Sequence, residues 1–267
     1  MNFCIEKRKV LLLGAFIGSL MVSLYATLTF QGNDLLEAET VLEPISVFPD
    51  FASISDVSVK KQMFFDFIEI YINQENQKVL AARERIQTFA KLLADGSALS
   101  PEESEELAAF VSHYEIADTD RHHSEVIFEL LKRVDTIPSS LALAQAANES
   151  AWGTSRFALE ANNIFGQWCY DEGCGVVPDR RVSGASHEVR SFATVEEAVR
   201  AYFLNLNTHD QYEDFRKMRF QMRNQRGTLD PLVLAYGLSG YSERGEHYVD
   251  EVQTIIQQND LINRYSI

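Results

Sequence analysis

Residues Leu141 to Ala147 read Leu-Ala-Leu-Ala-Gln-Ala-Ala, apolar at every position but Gln145. A helix that is apolar all round has no face to offer water, so the rest of the chain must cover it from every side. The fold is therefore built around a central helix. The run reaches Glu149 before Gly153 interrupts the pattern. Two effects raise the pKa of a carboxyl group at the C-terminal end of a core helix. Burial disfavours the charged form, and the helix dipole adds negative potential there. A carboxylic acid held neutral near pH 7 can act as a proton donor. Spacing alone equally accommodates a solvated Glu149 where the helix surfaces, the ordinary state of a glutamate.

The motifs decide between these readings. Glu149-Ser150-Ala151-Trp152-Gly153, followed by Asn163-Ile164-Phe165-Gly166, resembles the signature of the family 73 glycoside hydrolases. These glucosaminidases cut bacterial peptidoglycan and include the flagellar-rod hydrolase, many autolysins and the Bax-type bacterial proteins. The resemblance runs from about Thr136 to Asn259. It implies a lysozyme-like fold and an endo-β-N-acetylglucosaminidase that cleaves the β-1,4 bond after N-acetylglucosamine, with Glu149 as general acid. Lytic transglycosylases carry a similar Glu-Ser pair and are one rival reading. A glycan-binding protein on the same scaffold is another.

A glycosidase of this kind ordinarily uses a second group to handle water or the developing cation. The family places an acidic residue in the β-lobe after its second motif. Asp171, Glu172, Asp179 and Glu188 are the candidates, and Glu188 is preferred. The substrate's acetamido group can instead serve, as in substrate-assisted glycosidases. Gly240-Tyr241 matches a family Gly-Tyr motif, and Tyr248 a second family tyrosine. The following Ser242-Glu243-Arg244-Gly245 departs from the more usual Thr-Asp-Pro. The resemblance gives Tyr241 the acetamido group to orient and makes it weigh more in turnover than Glu188. Asn163 and Phe165 would shape the cleft floor. Trp168 and Tyr248 would meet the sugar, and Trp152 would pack in the core.

Charge bears on partners. The chain carries 24 basic and 39 acidic side chains, a net of −15. Nucleic acid, which requires a basic surface, is excluded as a partner. Peptidoglycan is itself rich in carboxylates, so its binding requires local basic groups. Cys169 and Cys174 are expected to pair as a disulfide outside the cytoplasm. A metal site there would need two further ligands, and only His187 is close in sequence. His113, His122 and His123 lack the spacing of a metal motif. No metal or cofactor is expected.

Val10 to Phe30 is an uncharged run of bilayer-spanning length. Lys7, Arg8 and Lys9 precede it, which orients the N-terminus to the cytoplasm. A cleaved signal peptide is the competing reading, but Leu24-Tyr25-Ala26 makes a poor cleavage site. The organisation expected is a cytoplasmic tail (1–9), a signal anchor (10–30), an acidic tether (31–54), a helical arm (55–135) and a catalytic domain (136–267). The domain lies outside the cytoplasmic (inner) membrane, in the periplasm or beyond.

Caps mark the helices. Ser55-Asp56 opens one near Val57, which Asp95-Gly96-Ser97 stops. Ser100-Pro101-Glu102-Glu103 opens the next, and Ser139 or Ser140 the core helix. Packing over the catalytic domain is the simplest role for the arm. Gly175 to Pro178 and His187 to Phe192 form a β-hairpin, the only sheet expected, so the class is mainly α (α+β). Anchoring has a direct check. N-terminal sequencing of membrane-extracted protein should return Met1 or Asn2, and protease added to spheroplasts should digest the C-terminal domain. A start near Thr27 would show cleavage instead.

Overall fold

The computed structural model describes residues 48–265, apart from 117–121, 180, 182–183 and 185. The expected anchor and tail lie outside these residues, as do residues 31–47 of the tether. No helix among the described residues is long and apolar enough to cross a membrane. The class is mainly helical with one small antiparallel sheet.

Helix α1 (Val57–Ala94) begins where Asp56 accepts hydrogen bonds from the N–H groups of Ser58 and Val59. Its buried stripe holds Phe64, Phe65, Ile68, Ile72, Val79, Ile86 and Phe89. Helix α2 (Pro101–His113) carries the full capping box of Ser100 and Glu103. Helix α3 (His123–Arg133) leads into the core helix α4 (Ser139–Glu149), in which every residue from Ser139 to Ala147 is buried. Helix α1 covers one side of α4, and the late helix α9 described below covers another. The arm and the core helix thus share one apolar interior.

The serine cap expected for α4 is not formed. Ser139 is already helical, the cap position is Pro138, and no side chain bonds there. Tertiary partners win instead. Ser139 donates to Asn73 Oδ1, and Asn76 of α1 both donates to the Ile137 carbonyl and accepts from the Ile137 N–H.

A polar clamp holds the turn between α3 and α4. Arg219 is fully buried and donates to the carbonyls of Lys132, Arg133, Asp135 and Thr136. Arg83 donates to those of Leu131 and Val134. Both cations lie where the α3 dipole is negative. Asp135, only 1% exposed, pairs with Arg223 at 3.1 Å and with Arg83 at 3.8 Å. Burial lowers the Arg219 pKa to about 10, still well above neutrality.

After α4 come α5 (Arg156–Ala161) and strands β1 (Trp168–Cys169), β2 (Gly175–Val176) and β3 (Glu188–Arg190). The order is β1-β3-β2, antiparallel throughout, with Trp168 opposite Val189 and Gly175 opposite Arg190. The expected hairpin is β2–β3, and β1 adds a third strand too short to leave a periodic signal. Cys169 and Cys174 are bridged, Cα atoms 6.2 Å apart, across the loop from β1 to β2. Helices α6 (Val195–Thr208), α7 (Glu213–Arg226), α8 (Pro231–Leu234), α9 (Glu246–Gln258) and α10 (Leu261–Arg264) complete the fold.

Removing the anion of the clamp leaves buried arginines uncompensated. The Asp135→Asn variant should lose about 3–5 kcal/mol in chemical denaturation. Lys217→Met, which breaks exposed pairs with Glu213 and Asp214, should lose no more than about 1 kcal/mol.

Candidate active site

The site is built on an abrupt helix end. Beyond Glu149, Ser150 turns its hydroxyl back to the Ala146 carbonyl at 2.6 Å and accepts the Gly153 N–H at 2.8 Å. Ala151, Trp152 and Gly153 then take φ of 50°, 61° and 73° in succession. For the first two this left-handed conformation costs on the order of 1–2 kcal/mol each, so the surroundings must enforce it. Those surroundings come from the arm and from the end of the tether. Trp152 packs edge-on against Phe65, ring centroids 5.1 Å apart, under Lys61 Nζ at 4.4 Å. Gly153 sits so close to Phe51 and Phe48 that a Cβ would lie 2.7 and 2.8 Å from their rings.

The Glu149 carboxyl is half-buried, and burial raises its pKa above the ordinary carboxylate value. A hydrogen bond from Tyr248 and the charge of Arg244 oppose this, while Glu251 adds to it. Oε1 is buried and has no hydrogen-bond partner among the described residues. Oε2 lies against Gly166, where a Cβ would come within 3.3 Å. Gly166 also has φ of 66°, so the second motif needs glycine for conformation and for clearance.

A chain of hydrogen bonds reaches the carboxyl from behind. The Tyr202 hydroxyl donates to Gln145 Oε1 at 2.6 Å, and Gln145 Nε2 donates to Tyr248 Oη at 2.8 Å. The Tyr248 hydroxyl, its lone pair taken, is turned to Glu149. Gln145, the lone polar residue of the core run, therefore sets the direction of the chain. Tyr241 stacks on Tyr248 with centroids 5.5 Å apart, and Phe165 stacks on Tyr202 at 3.8 Å. Burial pushes the phenols of Tyr202, Tyr241 and Tyr248 well above the ordinary tyrosine value, so all three remain donors.

The other expected residues divide between this cluster and its supports. Asn163 is buried and donates to the carbonyls of Gln167 and Arg190 while accepting the Gln167 N–H, tying the motif to β3. Tyr241 donates to the Phe165 carbonyl at 2.8 Å, so its hydroxyl holds the loop rather than standing free for a ligand. Trp168 is 53% exposed and stacks one face on His187 at 4.2 Å. Glu188 lies on β3. It is 5% exposed, and its two oxygens accept the N–H groups of Gly173 and Gly175. Those bonds hold its pKa below the ordinary value and make it an anchor for the Cys loop. Glu188, Cys169 and Cys174 converge within 4.8 Å, but the sulfurs are joined to each other.

Several neighbours of Glu149 escaped sequence reasoning. Arg244 and Glu251 form an ion pair beside it, to which Asn148 adds a hydrogen bond. Tyr212 lies 5.8 Å from Tyr241. Gln145, by contrast, left a signal, as a polar break in an apolar run.

Comparison with known proteins places this geometry. A family model described as "Glucosaminidase: Mannosyl-glycoprotein endo-beta-N-acetylglucosaminidase" matches residues 124–261. Protein bax of Escherichia coli (strain K12) is 33% identical over 217 residues, covering 81% of this chain and 76% of that protein. The exo-glucosaminidase LytG of Bacillus subtilis (strain 168) is 26% identical over 148 residues, covering 52% of this chain and 49% of its own length. No solved structure matches the chain significantly. With a family model over more than half its length and a relative at 33% identity over most of it, the chain belongs to the glucosaminidase family.

Proposed function

We propose that the protein is a peptidoglycan hydrolase, an endo-β-N-acetylglucosaminidase that cuts the β-1,4 bond after N-acetylglucosamine. The observation that carries this reading is the Glu149 carboxyl at the end of a buried helix. Its pKa is raised by burial, Tyr248 donates to it, and Oε1 is unengaged. A helix-terminal glutamate beside a small β-lobe is also the lysozyme-like arrangement. The proposed setting is the outer side of the cytoplasmic membrane, with residues 10–30 as a single-pass anchor.

In the first step Glu149 gives its proton to the glycosidic oxygen as the bond from C1 to that oxygen breaks. The acetamido oxygen of the same sugar attacks C1 and closes an oxazolinium ring. Water then adds to C1 and yields its proton to the Glu149 carboxylate, which restores the acid and the acetamido group. The engagement of Glu188 by backbone N–H groups favours this substrate-assisted route over a two-carboxylate one. Tyr248 stabilises Glu149 while it is ionised, and Tyr241 fixes the Phe165 carbonyl and hence the Gly166 wall. A lytic transglycosylase would use the same lone acid, with a hydroxyl of the substrate in place of water. Mass spectrometry of digested peptidoglycan separates the readings. Reducing-end N-acetylglucosamine supports the hydrolase, anhydro-muramic ends the transglycosylase, and absence of products a glycan-binding protein.

Glu149→Gln should reduce cleavage by roughly 100- to 10,000-fold. Activity within a few-fold of wild type would remove Glu149 from the mechanism. The same variant should be at least as stable as wild type at neutral pH. A carboxyl whose folded pKa is raised costs stability as the pH climbs through that value, and glutamine carries no such charge. Tyr248→Phe removes a bond that lowers the Glu149 pKa, so the alkaline limb of the pH–rate profile should move to higher pH as turnover falls. An unmoved limb would deny the contact a role in ionisation.

A further inference from the structure

A groove of about 500 Å³ lies along one flank of α6, and Glu149 is not among its lining residues. That volume falls within the range of about 300–1,000 Å³ typical of small-ligand sites. One wall is the β-lobe, with Trp168 and Arg190. The floor is α6, with Arg200 and Asn205. The far wall is the end of the arm, with His113 and Glu115. The family match begins at residue 124, so this wall lies outside the matched domain.

The groove joins the candidate active site at two points. Gln167, in its lining, directly follows the Gly166 that packs on Glu149. Asn205, also in the lining, hydrogen-bonds Tyr212, which feels the Glu149 charge. The arm wall is fixed in place. Arg133 Nη1 donates to the carbonyls of Tyr114, Glu115 and Thr208, which fastens the end of α2 to the end of α6.

The lining carries charges of both signs without committing them. Arg200 is paired with Glu196. Arg190 lies over the Phe192 ring at 5.1 Å, and neither it nor Glu115 has an ion-pair partner among the described residues. Glu115 is costly where it stands. It ends α2 with φ of 53°, a conformation that favours glycine, and its side chain is exposed.

We infer that this groove binds the peptide stem of the peptidoglycan strand, with Arg190 taking a stem carboxylate and Glu115 a stem ammonium. The choice of ligand rests on the glucosaminidase reading above, since stems of this polymer carry several carboxylates and, in many bacteria, a free amine. Unpaired groups of opposite sign in one groove suit a zwitterionic peptide better than a neutral glycan. Trp168 lines the groove, one face covered by His187 and the residue 53% exposed.

The test uses the full-length protein in detergent and two probes. One is a stem tripeptide that ends in diaminopimelate and carries no sugar, and the other is chitotetraose, which carries no stem. Calorimetric titration should show the tripeptide binding to wild type. Arg190→Gln and Glu115→Gly should each weaken it by about tenfold, the loss of one charge-assisted hydrogen bond. Chitotetraose binding should change far less. Glycine suits the positive φ at position 115, so thermal stability should hold or rise and the lost affinity cannot be ascribed to unfolding. Absence of tripeptide binding, or tripeptide binding that both variants leave intact, would overturn the proposal, as would weakening of chitotetraose to the same degree. Tripeptide binding without glycan cleavage would keep the site and dismiss the hydrolase reading. Cleavage without tripeptide binding would do the reverse.

Discussion

The all-round burial of α4 is the constraint on which the rest depends. An apolar cylinder must be wrapped: here α1 of the arm and α9 pack against it, and α6 reaches it through Tyr202. Each wrapping element also brings something to the site. Helix α1 braces the strained turn after Glu149 through Phe64, Phe65 and Trp152. Helices α6 and α9 bring Tyr202 and Tyr248 to Gln145. Packing and chemistry are thus coupled: loosening the cover of α4 would release both the turn and the hydrogen-bond chain that ends on Glu149.

The electrostatics follow from the same geometry. A chain with net charge −15 places its one half-buried catalytic candidate where negative potential is already high, at a helix end and near Glu251. Arg244 partly offsets this, itself held by Glu251. The balance leaves Glu149 with a raised pKa, as a proton donor requires. The buried clamp around Asp135 works differently: its arginines serve mostly backbone carbonyls, and their role is to fix the entry of α4.

Local chemistry was legible in the sequence, and long-range chemistry was not. The caps at Asp56 and at Ser100 with Glu103 form as read, because their partners lie within three residues. The central helix and its terminal Glu149 were legible from the apolar run and the motif. Ser139 was misread because Asn73, 66 positions away, claims its hydroxyl. Glu188 was placed by region alone, and the loop N–H groups that it accepts left no signal in the spacing. Arg244, Glu251 and Tyr212 meet Glu149 only through the closure of the fold, and no spacing encodes that. The arm read as a separate segment because its apolar stripe does not reveal which helix it covers.

The position of Gln145 has a consequence for how the chain assembles. Synthesis releases the N-terminal part first. Helices α1 and α3 are therefore available when α4 arrives, and one side of it is covered at once. The helices that cover the rest, α6 and α9, follow later. Gln145 finds its partners only on those two, so the single polar side chain of the Leu141–Ala147 run lies on the side that waits longest in water. An alanine there would present an unbroken apolar surface to other unfinished chains during that interval. The amide that orders the finished site thus also shields the nascent chain from its neighbours.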